Sequence, residues 1–352
     1  MCGIAGWINL KQSDVTHHTE AVLHSMCERI VHRGPNSEGI WMDDTIALGM
    51  RRLSIIDLHT GDQPVFSEDK SVIVMMNGEL YNYREVRDEL EKKGHKFVTK
   101  SDTEILPHLY EEYGEDLVDH LNGMYAFSLW DTRKKKLIIA RDRFGEKPLY
   151  YGIFDGKVLY ASEPKAILAH PSVKPELNLD AMRHYLSYDY VPAPHSIYKG
   201  ISKLPAAHVL TVENGEIKTR RYWNLTFAKS GNTSIEKSAA ELKDLLSDAV
   251  RMRLVADVPL GVLLSGGVDS SAVAAFATQH ATETVKTFSI GFTEDSFDET
   301  KYARQVAAHL GTDHHEEILS VAKAAELISD IGSWLDEPMS DGSLIPTYLL
   351  AR

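Results

Sequence analysis

Pro259-Leu260-Gly261-Val262-Leu263-Leu264 runs straight into Ser265-Gly266-Gly267-Val268-Asp269-Ser270-Ser271, and the reading of this stretch decides how the C-terminal part folds. The apolar residues predict a buried strand. The small residues after them predict a loop whose glycines let backbone N–H groups face an anion. Residues 272–280 read as a helix that presents its positive end to the same point. No Gly-Lys-Ser/Thr follows, so this is not a Walker A loop. Ser-Gly-Gly alone would be an ordinary turn, but the longer motif between a strand and a helix reads as a phosphate loop. Outward from it, residues 235–253 predict a long helix, 285–292 a second strand, 299–310 a helix and 315–319 a third strand. Strands alternating with helices predict a parallel sheet and an α/β domain.

Upstream, to roughly residue 205, the pattern is of strands and hairpins with a few helices. Residues 72–76 read as a buried strand. Residues 83–93 have helical apolar spacing and end at Gly94, a natural C-cap. Residues 125–130 and 137–140 flank a polar turn, and 149–154 and 158–161 flank Asp155-Gly156, so two hairpins are predicted. The connection between the halves is placed at Pro192-Ala193-Pro194 through Pro205, with residues 218–223, which gives domains 2–205 and 206–352.

Composition agrees with two soluble domains. The chain has 352 residues, 43% of them hydrophobic and 25% charged, with a net charge of −13. An acidic surface repels phosphate backbones, so nucleic acid is not expected as a partner, although a local loop can still hold ATP. Cys2 and Cys27 make no disulfide framework, the N-terminus has no basic leader, and no stretch of about 18 apolar residues offers a membrane span. The expected location is the cytoplasm, with no membrane partner.

Cys2 becomes the first residue once the initiator methionine is removed. Its α-amino group, with an ordinary pKa of about 7.7–8.0, then lies beside its own thiol and can take the thiol proton directly or through a water. One residue supplies both nucleophile and base, so no Ser-His-Asp or Cys-His pattern is required. Gly3 and Gly6 let the backbone pack close behind it. Cys27 sits in the helix-like run 21–30 and reads as a buried structural thiol.

Around Cys2 the sequence holds Cys2-Gly3-Ile4-Ala5-Gly6, His32-Arg33-Gly34-Pro35, Arg52-Leu53-Ser54-Ile55-Ile56-Asp57, Asn77-Gly78-Glu79 and Ser101-Asp102, then Asp142-Arg143-Phe144-Gly145 and Ala161-Ser162-Glu163-Pro164-Lys165. In this order they resemble the class II glutamine amidotransferase domain, an α+β N-terminal nucleophile hydrolase built as an αββα sandwich. The resemblance implies that Cys2 is the nucleophile and that Arg52 clamps the glutamine carboxylate, which suits a planar guanidinium. It implies that Asp102, with Glu79 nearby, takes the ammonium. The Asn77 amide and the Gly78 N–H form the oxyanion hole. Arg33 and Arg51 read as structural or loop-closing. Asn36 departs from the family, which usually has Asp there, and a loop effect is expected.

The second motif resembles the pyrophosphate loop of enzymes that adenylate a carboxylate, on an adenine nucleotide α-hydrolase-like α/β fold. It implies that Ser265, Gly266, Gly267, Asp269 and Ser270 hold the β- and γ-phosphates of ATP, that Leu263 and Ile290 hold the adenosine, and that Asp269 helps to position Mg2+. His314-His315 reads as strand-edge residues, because no further Cys or His completes a metal site. The combination is that of the glutamine-hydrolysing asparagine synthetase family. Ammonia released at Cys2 would amidate an adenylated aspartate, giving asparagine, AMP and pyrophosphate, with a homodimer as a compatible assembly. The same architecture amidates other carboxylates. A ring-closing β-lactam synthetase is disfavoured by Cys2, a sugar amidotransferase by the Ser265–Ser270 loop, and a non-catalytic sensor by Arg52, Asn77 and Asp102. The family continues past Asp336-Glu337-Pro338 into a further phosphate-contacting loop, so the α/β domain reads as incomplete. The chain taken alone is expected to act as a glutaminase that releases little pyrophosphate.

Overall fold

The structure, a computed structural model, describes residues 2–11, 20–227, 234–293 and 298–351. Two compact units emerge, Met1–Thr226 with Asp336–Met339, and Phe227–Leu335 with Ser340–Arg352.

In chain order the first unit runs β1 (Gly3–Asn9), α1 (Glu20–Glu28), β2 (Ser37–Met42), β3 (Ile46–Arg52), β4 (Val65–Phe66), β5 (Val72–Leu80), α2 (Tyr83–Lys93), α3 (Ile105–Tyr113), β6 (Gly123–Asp131), β7 (Lys136–Arg141), β8 (Tyr150–Phe154), β9 (Lys157–Ala161), α4 (Pro164–Leu168), α5 (Leu179–Tyr188), β10 (Ile201–Lys203), β11 (His208–Glu213) and β12 (Glu216–Arg221). The strands form two six-stranded sheets, β10-β8-β9-β1-β3-β2 and β12-β11-β7-β6-β5-β4. Alternation along β1 shows why they stack. Ile4 and Ile8 join Met50, Ile73, Trp130, Ile139 and Leu210 between the sheets. Ala5 and Trp7, on the opposite face, pack with Leu23, Met26 and Ile167 under α1 and α4. α2 and α3 lie beside the second sheet through α3 and β5. This is the expected αββα sandwich.

Several expectations hold closely. α2 spans 83–93 and stops at Gly94, whose φ of 105° is left-handed. Both hairpins are present, β6 with β7 and β8 with β9. Cys27 is fully buried against the first sheet. The boundary at 205 is corrected. β11 pairs with β7, and β12 pairs with β11 around the Asn214-Gly215 turn, so both strands belong to the first unit's second sheet. Asn-Gly between two strands is a strong hairpin signal, and it lies beyond Pro205.

The second unit contains α6 (Ile235–Arg253), β13 (Gly261–Leu263), α7 (Val268–His280), β14 (Lys286–Phe292), α8 (Thr300–Leu310), β15 (Asp313–Leu319), α9 (Val321–Trp334) and α10 (Leu344–Ala351). Its sheet, β13-β14-β15, is parallel throughout, as expected of α/β topology. The buried strand expected before the phosphate loop is not buried. β13 is an edge strand and Leu263 is 54% exposed, while Leu264 just after it is buried. No helix among the described residues is long and apolar enough to cross a membrane.

Candidate active site

Cys2 precedes β1, and the strand fixes where the thiol points. The Sγ accepts from the Leu53 N–H at 3.3 Å and lies 3.5 Å from the Leu53 carbonyl. Arg33 Nε donates to the Cys2 carbonyl at 2.9 Å, and its Nη1 pairs with Glu163 at 2.7 Å. His32 lies 3.0 Å from the same carboxylate. Burial works against the Glu163 charge, yet the His32 and Arg33 contacts bring the group down to about 2. The His32-Arg33 and Glu163 motifs therefore brace the Cys2 backbone. Arg51 plays a similar part by donating to Gly34 O at 3.1 Å. Asn36 closes the loop by accepting from Ser54 N at 3.0 Å.

The thiol itself is not acidic. Burial pushes it above its ordinary value, against the Leu53 N–H and the Arg52 charge. Met1, whose removal would expose the Cys2 amine, lies outside the described residues.

A recess of about 450 Å3 collects the predicted residues. Cys2, Arg52, Asn77, Gly78, Glu79 and Asp102 all line it. Asn77 is completely buried on β5, and neither its amide nitrogen nor its amide oxygen has a hydrogen-bond partner among the described residues. A buried amide left unsatisfied is costly. A Cβ at Gly78 would collide with the Met124 carbonyl of the neighbouring strand, so only glycine fits beside it.

Asp102 is buried and accepts from the Leu80 N–H at 2.9 Å. Burial, and then Glu79, raise it to about 6, against the Leu80 and Thr103 N–H groups. Arg52 donates to the carbonyls of Asp57 at 2.6 Å and Ile56 at 3.1 Å, and pairs with Asp62 at 2.8 Å.

Residues that sequence reasoning left without a role complete the recess. Asp57 accepts from Thr60 N at 2.9 Å and Lys100 N at 2.7 Å, which ties the Arg52 loop to the Ser101-Asp102 segment. Burial opposes its charge, but these bonds hold it down to about 2. Gln63 accepts from Met76 N at 2.6 Å and lines the recess. Lys147 is almost fully buried in the lining, and burial pushes it below its ordinary value against the attraction of Glu79. Its signal was the Asp142-Arg143-Phe144-Gly145 motif just before it, where Asp142 accepts from Lys147 N at 3.0 Å.

In the second unit a cavity of about 790 Å3 is lined by Leu263, Ser265, Ser270 and Ile290, with Phe288 and Thr300. Gly266, Gly267 and Asp269 belong to the adjoining loop and helix start and are not among its lining residues. Ser265 Oγ lies 3.0 Å from Ser270 Oγ, and Ser265 N donates to Ser270 Oγ at 3.2 Å, closing the loop over the first turn of α7. Gly266 has φ +83°, and a Cβ there would lie 2.6 Å from the Tyr302 backbone. His314 bonds Thr287 at 2.9 Å while His315 stacks on Phe288. As neighbours on β15 they point to opposite faces, which supports the strand-edge reading.

A family model described as a glutamine amidotransferase domain matches residues 1–223, and one described as asparagine synthase matches 241–352. Asparagine synthetase (glutamine-hydrolysing) 1 of Bacillus subtilis is 36% identical over 353 residues, covering 100% of this chain and 55% of that protein. A Methanocaldococcus jannaschii protein provisionally given the corresponding name is 37% identical, covering 100% of this chain and 71% of its own. The chain belongs to the glutamine-hydrolysing asparagine synthetase family. A Zea mays asparagine synthetase (glutamine-hydrolysing) is 36% identical over 94% of this chain and 52% of its own. The chain spans about half the length of most of these family relatives. A solved structure titled as the allosteric regulatory enzyme of purine biosynthesis shares the fold, with a TM-score of 0.51 at 13% identity over 100% of this chain and 99% of that one. Membership of the asparagine synthetase family accounts for both the recess around Cys2 and the loop at Ser265, which otherwise have no reason to share a chain.

Proposed function

We propose that the protein is a glutamine-dependent asparagine synthetase. The observation that carries this reading is the recess in which a nucleophile, a guanidinium, two carboxylates and an unpartnered amide meet. Glutamine carries a carboxylate, an ammonium and an amide, and each finds a complement there. Arg52 binds the carboxylate, Asp102 with Glu79 binds the ammonium, and Asn77 with the Gly78 N–H receives the developing oxyanion. The free α-amine of Cys2 takes the thiol proton. Sulfur then bonds the amide carbon, and the C–N bond breaks as the amine returns the proton to the leaving nitrogen. Water releases glutamate from the thioester, and the freed ammonia amidates the second unit's acceptor.

In the second unit, the glycine loop and the start of α7 favour the phosphates of ATP, and Leu263 and Ile290 flank its adenosine. Gly266 lets the loop pack against the Tyr302–Ala303 backbone at the start of α8, where a Cβ would collide. Asp269 in the first turn of α7 offers Mg2+ the oxygen donor it prefers, and the cation would neutralise phosphate charge. Aspartate is the proposed acceptor, the cytoplasm the proposed location, and a homodimer the proposed assembly. The test measures glutamate release from glutamine beside pyrophosphate release from ATP, with aspartate and with other carboxylates. Absence of glutamate release would overturn the reading of the first unit. Pyrophosphate release with another carboxylate and none with aspartate would overturn the acceptor.

The pH dependence of glutamine binding follows from Asp102. Its folded value of about 6 lies above its ordinary 3.8, so the folded chain holds this proton until pH rises through about 6. The group adds stability at pH values below 3.8, and that contribution is lost as pH rises to about 6. Binding an ammonium needs the ionised form. The KM for glutamine should therefore rise as pH falls below about 6, approaching tenfold per pH unit. Steady-state glutaminase kinetics from pH 5 to 8 check this, and a KM that stays flat across the range would remove Asp102 from ammonium binding.

A further inference from the structure

We propose that Glu68, His95, His108 and Glu111 form a binding site for one divalent transition-metal cation, Zn2+ by its donor chemistry, separate from the recess around Cys2.

The four ligand atoms come from three places in the first unit. Glu68 sits in the turn between β4 and β5, His95 directly after the Gly94 cap of α2, and His108 and Glu111 one turn apart on the same face of α3. All four atoms lie within 4.8 Å of one another. The separations are more telling than the clustering. His108 Nδ1 is 3.2 Å from Glu68 Oε2 and 3.6 Å from Glu111 Oε2, while His95 Nδ1 is 3.5 Å from Glu68 Oε1 and 3.7 Å from Glu111 Oε2. Zinc bonds to imidazole and carboxylate of about 2.0–2.2 Å in a tetrahedron put ligand atoms about 3.3–3.6 Å apart. The four histidine–carboxylate separations lie close to those edges, with Glu68 reaching His95 through Oε1 and His108 through Oε2.

His108 supplies the independent sign of a ligand. It is completely buried, and neither ring nitrogen makes a hydrogen bond of acceptable geometry among the described residues. The short approach to Glu68 is one of distance without alignment. A buried imidazole of this kind is costly unless something else meets it. Phe97 holds the ring edge-on, with centroids 4.5 Å apart.

The surroundings match those of metal ligands. His95 directs Nδ1 into the cluster while its Nε2 is 3.2 Å from Glu112 Oε1, so a carboxylate outside the cluster fixes ring orientation and tautomer. Glu68 Oε1 accepts from the Lys96 N–H at 3.0 Å, which anchors one oxygen and leaves Oε2 turned towards His108. Two imidazoles with two carboxylates favour Zn2+ over Mg2+ or Ca2+, which prefer oxygen alone.

The test uses the full chain as Cys2→Ala, so that the thiol contributes nothing, after EDTA treatment and dialysis. Titration with zinc sulfate against a chromophoric chelator should show one Zn2+ per chain, and zinc should raise the melting temperature reversibly with EDTA. His95→Ala and Glu111→Gln, chosen because neither empties the buried position of His108, should each weaken binding by at least about tenfold. Cobalt(II) should give the strong visible bands of a four-coordinate site in the parent and lose them in His95→Ala. Unchanged metal-free melting temperatures would confirm that the variants fold. A parent that binds no Zn2+ at micromolar concentration, or variants that bind it as tightly as the parent, would overturn the proposal.

Discussion

Cys2→Ala is expected to lower glutamine hydrolysis by on the order of 10⁴–10⁶-fold while free ammonia still supports any synthetase activity. The size of the effect follows from the site. The recess offers a guanidinium and carboxylates for the ends of glutamine, and among the described residues Cys2 is the one thiol that lines it. Water would then have to attack a resting amide without a covalent intermediate. Backbone placement should survive, because Arg33 holds the Cys2 carbonyl rather than the side chain. Glutamate release and ammonia-dependent amidation, measured on one preparation, separate loss of chemistry from loss of fold. Undiminished glutamine-dependent activity in the variant, with the substitution verified by mass spectrometry, would remove Cys2 from the mechanism.

Asn77→Ala should lower kcat for glutamine hydrolysis by about 10²–10³-fold with little change in KM, whereas Arg52→Ala should mainly raise KM. The amide of Asn77 is buried without a hydrogen-bond partner among the described residues, and in its proposed role it would act when charge develops on the substrate oxygen. Arg52 is already anchored by the Ile56 and Asp57 carbonyls and meets a group that is charged from the start. An oxyanion donor acts in the transition state and a clamp acts in both states. Steady-state kinetics of the two variants should therefore diverge along different parameters. A fall in kcat for Arg52→Ala equal to that for Asn77→Ala, without a rise in KM, would contradict the division of roles.

Regular elements with local signals were legible from residues alone. α2 could be bounded because its apolar spacing and the Gly94 cap agree, and α6 because Ser234 caps a long amphipathic run. α3 escaped because Pro107 interrupts its pattern, although proline is tolerated in a helix's first turn. α9 and α10 were not identified, and the β11–β12 hairpin was hidden by reading a linker through it. β13 looked buried because its residues are apolar, but edge position is a property of the sheet and not of the strand.

The site divides in the same way. Periodicity could suggest neither Asn77 nor Asp102 as a site residue, and only the ordered set of motifs did so. Asp57 and Gln63 do their work through backbone groups far along the chain, at Lys100 and Met76, and pairings of that kind leave no trace in local spacing. The cluster at His95 and His108 was equally silent, because its members belong to a turn, a helix cap and a helix face that only the folded chain assembles.

Cys27 has a practical consequence. Its thiol is sealed beneath α1 against Gly49, and burial, followed by Glu38, pushes it up to about 12. It is therefore inert to alkylating reagents while the chain is folded. The other cysteine thiol is the one proposed to react with glutamine. Moles of label taken up per mole of native chain then count accessible Cys2 thiols, and a second equivalent reports unfolded material in the same sample.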